Sequence, residues 1–109
     1  MDEKRAVAAL GALAQESRLK VFRLLVRRGP AGLAAGEISQ RVGVPPTTLS
    51  FHLAQLSGAG LVTSRREGRS ILYAADYDGM QALMSFLVDN CCQDGAGCAP
   101  PDAARRRRR

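Results

Sequence analysis

The stretch at residues 44–61, VPPTTLSFHLAQLSGAGL, sets the tightest limit on what this chain can become. Pro45 and Pro46 open it, and Leu49, Leu53 and Leu56 then recur at spacings of four and three, one face of an α-helix. A Gly58-Ala59-Gly60 break closes it. Thr47, Thr48, Ser50, Phe51 and Gln55 share the opposite face, short and polar apart from the phenylalanine. Such a helix rests its leucines on a core and turns small hydrogen-bonding groups outward. In a small basic chain, the surface those groups suit is a DNA groove.

What precedes and follows this stretch gives it a setting. Residues 36–42 (GEISQRV) predict a short helix, with Ile38 and Val42 four apart and Gly43 as its stop. Helix, tight glycine-containing turn and second helix are the spacing of a helix-turn-helix. Any small helical bundle can imitate that pattern, so the next elements matter. Residues 61–66 (LVTSRR) read as a strand, Glu67-Gly68-Arg69 as a turn, and residues 70–75 (SILYAA) as a second strand, together a β-hairpin. A two-stranded hairpin is marginal alone and must lean on the helical body. Arg65, Arg66 and Arg69 concentrate near its tip, where they would meet the phosphate backbone or the minor groove beside the reading helix. The expected fold is mainly α (α+β), a winged helix-turn-helix with about five helices and a two-stranded β-hairpin wing.

The flanking helices point to a second subunit. Residues 6–14 (AVAALGALA) are apolar all round, so the helix they form is expected to be buried on several sides, partly against a partner. Residues 16–28 carry Leu19, Phe22, Leu25 and Val26 on one face and Arg18, Lys20, Arg23 and Arg27 around the other, ending at Gly29-Pro30. These cations read as a solvated face, with phosphate contact as the alternative. Residues 76–90 predict a last helix in which Met80, Leu83, Met84, Leu87 and Val88 serve core or dimer packing. Beyond it, CCQDGAGC and a Pro-Pro pair rule out continued helix.

At 109 residues the chain makes one domain. Of its sixteen Lys and Arg residues, five are Arg105–Arg109, and the eleven that remain face ten Asp and Glu. The folded part is therefore nearly neutral, and the terminal run is expected to be a disordered arm with unspecific attraction for phosphate. Met1–Arg5 is charged and no apolar stretch approaches the roughly 18–20 residues that cross a bilayer, so a cytoplasmic location with no membrane contact is expected. Cys91, Cys92 and Cys98, an odd set within eight residues, read as metal or redox chemistry rather than a disulfide framework. His52 is the single histidine and tryptophan is absent, which removes most enzyme mechanisms. No Cys-x5-Arg oxyanion loop is present, which sets aside an enzyme built on such a loop around a nucleophilic cysteine.

Taken together, GALAQESRLKVFRLLV (residues 11–26), TTLSFHLAQLSGAGLV (residues 47–62) and REGRSILYA (residues 66–74) resemble, in one register over residues 6–90, the ArsR family of winged-helix, metal-responsive repressors. The resemblance implies a homodimer held by the first and last helices, with paired reading helices on palindromic double-stranded operator DNA. It places Thr47, Ser50 and Phe51 at major-groove positions. Many family members carry a histidine at the position of Phe51, so the base preference is open, and Phe51 would suit a thymine methyl. His52 is expected either to contact DNA or to hold an internal hydrogen bond.

The family places its sensor sites on different helices. Residues 36–44 hold no cysteine and residues 76–90 no histidine, so two common placements are absent here. Cys91, Cys92 and Cys98 match the Cys-Cys-x5-Cys arrangement that resembles the C-terminal arsenite site of one branch. Three soft sulfurs fall one short of a closed tetrahedral zinc site and suit thiophilic ions, As(III) or Sb(III) above all, which take three sulfurs in a pyramid. Another soft ion such as Cd(II), Pb(II) or Cu(I), a thiol-oxidation switch and a thiol-rich carrier are the alternatives. The resulting division is a DNA-binding and dimerisation domain at 1–90, an inducer-binding cysteine segment at 91–98 and a disordered arginine-rich tail at 99–109.

Overall fold

A computed structural model describes residues 1–95. Cys98, the two residues before it and the tail expected at 99–109 lie outside the described residues. Five helices and three strands follow one another in the order α1 (Glu3–Leu13), α2 (Glu16–Arg28), β1 (Leu33–Ala34), α3 (Ala35–Val42), α4 (Pro46–Gly58), β2 (Val62–Glu67), β3 (Ser70–Ala75) and α5 (Tyr77–Val88). The strands form one antiparallel sheet in the order β1-β3-β2. This is the winged helix-turn-helix, with a third strand added to the expected two-stranded wing.

Local chemistry sets the boundaries. Asp2 caps α1 by accepting the Arg5 N–H at 2.8 Å, which starts that helix before the apolar run begins. Ala6, Ala9 and Ala12 form its buried face, and the missing side-chain bulk lets α1 lie close on its neighbours. Val7, 64% exposed, and Leu10 face outward, so the helix is not enclosed on all sides within one subunit. Gln15 caps α2 by accepting the Arg18 N–H, and Val21, Phe22, Leu24 and Leu25 enter the core. Leu19, expected on that core face, stays exposed.

The third strand, β1, depends on a glycine. Gly32 has φ +73°, and a Cβ there would lie 2.7 Å from the Tyr73 carbonyl oxygen. That close approach lets Leu33 and Ala34 pair with Tyr73 and Leu72 of β3. Gly43 ends α3 in the left-handed conformation, its N–H on the Ser39 carbonyl, and the Ser39 hydroxyl donates to the Val44 carbonyl across the turn. Pro46 occupies the first turn of α4, where its missing N–H costs nothing. β2 and β3 pair from Val62–Ala75 to Glu67–Ser70, joined by the two-residue loop Gly68-Arg69. The Asp76 carboxylate accepts the Gly79 N–H at 3.0 Å to cap α5.

The core runs through the middle of these layers. Val21, Leu25, Leu33, Ile38, Leu49, Leu56 and Leu61 are its most enclosed side chains. α5 contributes little to it. Leu83 is buried there, while Met84, Leu87 and Val88 are exposed, Val88 by 65%.

Candidate nucleic-acid interface and thiol cluster

The face of α4 that points away from the core carries Thr47, Thr48, Ser50, Phe51 and Gln55, all exposed. Phe51 shows 57% of its surface, a large apolar ring among hydroxyl and amide groups. Four of these five side chains carry hydrogen-bonding groups that suit base edges, and the ring can pack on a methyl group. Leu49, Leu53 and Leu56 seat the helix on the core, so these groups share its outward face.

His52 does not belong to that face. Its side chain is 6% exposed, and its Nδ1 lies 3.3 Å from an Arg18 terminal nitrogen. A guanidinium only donates, so Nδ1 accepts and the ring proton sits on Nε2. The same Arg18 donates through Nε to the Ala12 carbonyl at 2.8 Å. Arg18 therefore ties the end of α1 to the middle of α4. Burial, and secondarily the Arg18 charge, hold the His52 pKa below the usual imidazole value. Its place three residues after Leu49 and four before Leu56 marks the apolar face, a signal present in the sequence.

Arg65 is also redirected. It pairs with Leu72, back from the hairpin loop, and its terminal nitrogens donate to the Pro30 and Ala31 carbonyls at 2.9 and 2.8 Å. Its Nε reaches Glu67 at 3.1 Å. The side chain fastens the wing to the loop after α2, so its donors are already engaged. Arg66 and Arg69 are exposed and their side chains make no hydrogen bond or ion pair among the described residues, which leaves them as the wing's available cations.

After Val88 the helix gives way to tight turns. The Cys91 N–H bonds the Val88 carbonyl, Gln93 that of Asn90, and Gly95 that of Cys92. Asn90 and Cys92 both adopt positive φ, 61° and 62°, which costs a non-glycine residue conformational energy. This folding brings the Cys91 and Cys92 sulfurs to 3.4 Å. Cys92 is disulfide-bonded. No group of three or more potential metal ligands is assembled among the described residues, which exclude Cys98.

A helix-turn-helix domain model matches residues 13–65. The transcriptional activator HlyU of Vibrio cholerae is 34% identical over 89 residues, covering 82% of this chain and 80% of that protein. A putative arsenical resistance operon repressor, ArsR, of Halobacterium salinarum is 37% identical over 80 residues, 73% of this chain and 61% of that protein. Among solved structures, an ArsR-like transcriptional regulator from Rhodococcus superposes with a TM-score of 0.71 at 25% identity, covering 96% of this chain and 86% of that one. The chain belongs to the ArsR family. A homodimeric winged helix-turn-helix DNA-binding domain from Mycobacterium bovis, a possible ArsR-family regulator, superposes at 0.65 with 28% identity over 88% of this chain and 89% of that one. In this ArsR-family regulator of transcription, α3 and α4 are the helix-turn-helix and β2–β3 the wing. Among the described residues no helix is long and apolar enough to cross a membrane.

Proposed function

We propose that the protein is a dimeric repressor that occupies operator DNA and releases it when As(III), or Sb(III), is bound by Cys91, Cys92 and Cys98. The observation that carries this reading is the 3.4 Å approach of the Cys91 and Cys92 sulfurs in the turns directly after α5. Two sulfurs in van der Waals contact suit a shared pyramidal centre, and the third donor is Cys98. The reaction balances without oxidation: arsenous acid loses three hydroxyls as water, each taking one thiol proton, and three As–S bonds replace three As–O bonds. The Cys92 disulfide has to be reduced first. The arsenical resistance repressor among the relatives supports the same ligand class.

The output follows from where the cluster sits. Val7 and Leu10 of α1, with Met84, Leu87 and Val88 of α5, form exposed apolar faces on two helices that pack together. A second copy covering them would make the homodimer, an assembly that the M. bovis relative adopts. Ligand binding at the end of α5 then acts on the dimer surface and changes the separation of two α4 helices that must match successive major grooves. Coupling of about 1–3 kcal/mol, usual between linked sites, lowers operator affinity roughly 5–150-fold.

Thiol counting tests the ligand set. In reduced protein, arsenite should shield three thiols per chain from alkylation, and shielding of two or fewer contradicts the assignment. A second reading is thiol oxidation as the trigger, favoured by the Cys92 disulfide. It predicts that oxidised protein releases DNA with no arsenite present and that reduced protein ignores arsenite.

A further inference from the structure

Residues of α2 and α3 line an open groove of about 680 Å³. Lys20, Arg23 and Arg27 line one wall and Arg41 the other, over the apolar groups of Leu19, Leu24 and Val42. The side chains of Lys20, Arg23 and Arg27 make no hydrogen bond or ion pair among the described residues, and Glu16 is the one acidic residue on the lining. Arg41 shares an exposed ion pair with Glu37 at 2.9 Å. Leu19 is 43% exposed and lies on α2, away from the α1 and α5 faces that carry the exposed Leu10 and Leu87.

The cations are turned away from the operator. At about 100° per residue, Lys20, Arg23 and Arg27 lie roughly 140–200° around α2 from Arg18, which points at His52 of α4. Val21, Phe22 and Leu25 set the core side of α2, and Leu49, Leu53 and Leu56 the core side of α4. Passing across the domain, the sequence is therefore the Thr47–Phe51 face of α4, the core, α2, and then this groove. A duplex held by α4 leaves the ridge unopposed. Phosphate contact has no use for the exposed Leu19 or the apolar floor either.

We infer that this groove docks an acidic, amphipathic segment of a partner protein, its carboxylates on Lys20, Arg23 and Arg27 and an apolar side chain on Leu19 and Leu24. The ridge from position 20 to 27 runs two helical turns, about 10 Å, a length suited to a peptide rather than a single small anion. Charge complementarity of this kind sets partner choice and encounter rate, while the apolar floor fixes the register.

The test uses the full reduced chain and a short fluorescent peptide with Glu and Leu at helical spacing, beside a control peptide with the leucines changed to serine. Wild-type protein should bind the leucine peptide more tightly than the control. Arg23→Glu with Arg27→Glu should weaken that binding about tenfold or more, and Leu19→Ser should weaken it without any change of charge. Both variants should hold DNA about as tightly as wild type, within roughly twofold. Equal peptide binding by wild type and variants, as attraction to the arginine tail would give, overturns the inference. So does loss of DNA affinity in the charge-reversed protein, which assigns the ridge to phosphate. Peptide binding with this pattern by a chain that ignores DNA leaves the groove standing and removes the operator reading instead.

Discussion

Replacing Arg18 by leucine removes the tie between α1 and the DNA-reading helix. The guanidinium makes a charged hydrogen bond to the Ala12 carbonyl at 2.8 Å and a longer one to His52 Nδ1 at 3.3 Å. A bond to a charged group contributes about 1.5–3 kcal/mol and the longer contact about 1, so Arg18→Leu should cost about 2.5–4 kcal/mol. Part of that cost arises because His52 is left buried with an unsatisfied ring nitrogen. Changing both residues to leucine should therefore cost less than the two single changes added together, with a coupling of at least about 0.5 kcal/mol. Urea unfolding of the four proteins at pH 7.5 measures the cycle. A single-variant loss under about 0.5 kcal/mol, or strict additivity, refutes the strut.

Three further outcomes follow from the same packing. The folded His52 resists a proton that the unfolded chain accepts near pH 6.5, so its contribution is intact above that value and is lost as the pH falls toward the lower folded pKa; urea midpoints from pH 8 to 5.5 should fall for wild type and flatten in His52→Leu. Gly79→Ala should destabilise by about 1–3 kcal/mol despite alanine's better helix propensity, because a Cβ there would stand 1.9 Å from the Gly60 carbonyl oxygen, and a thermal melt no lower than wild type contradicts this. Arg66→Ala and Arg69→Ala should each weaken DNA binding and reduce the salt slope by about 1, whereas Arg65→Ala should lower thermal stability by loosening the wing, and the salt dependence of binding separates the two groups.

The legibility of the chain varied with how local its determinants are. α2 at Glu16–Arg28 and β3 at Ser70–Ala75 are bounded by Gly29-Pro30 and by the Gly68 turn and Asp76, so periodicity and punctuation place them to the residue. α1 starts at Glu3 because of a cap at Asp2, outside the apolar run that announced it. β1 is two residues long and pairs with a strand some forty residues away, so no local pattern marks it. Arg65 looked like a wing cation because its true acceptors, the Pro30 and Ala31 carbonyls, are brought to it by the fold alone. His52 was the reverse case: spacing alone put it with Leu49, Leu53 and Leu56, while its polarity suggested the other face. An all-apolar α1 likewise hid the difference between its buried alanines and the outward Val7 and Leu10.

The proposal that three sulfurs govern DNA release is tested most directly by following one equilibrium. Fluorescence polarisation of labelled DNA from upstream of the protein's own reading frame reports occupancy as arsenite is added to reduced protein in a thiol-free reductant. The account predicts tight binding without arsenite, release at one As(III) per chain, and full retention in Cys91→Ser, Cys92→Ser and Cys98→Ser. Unchanged occupancy of the reduced wild-type complex at saturating arsenite contradicts it.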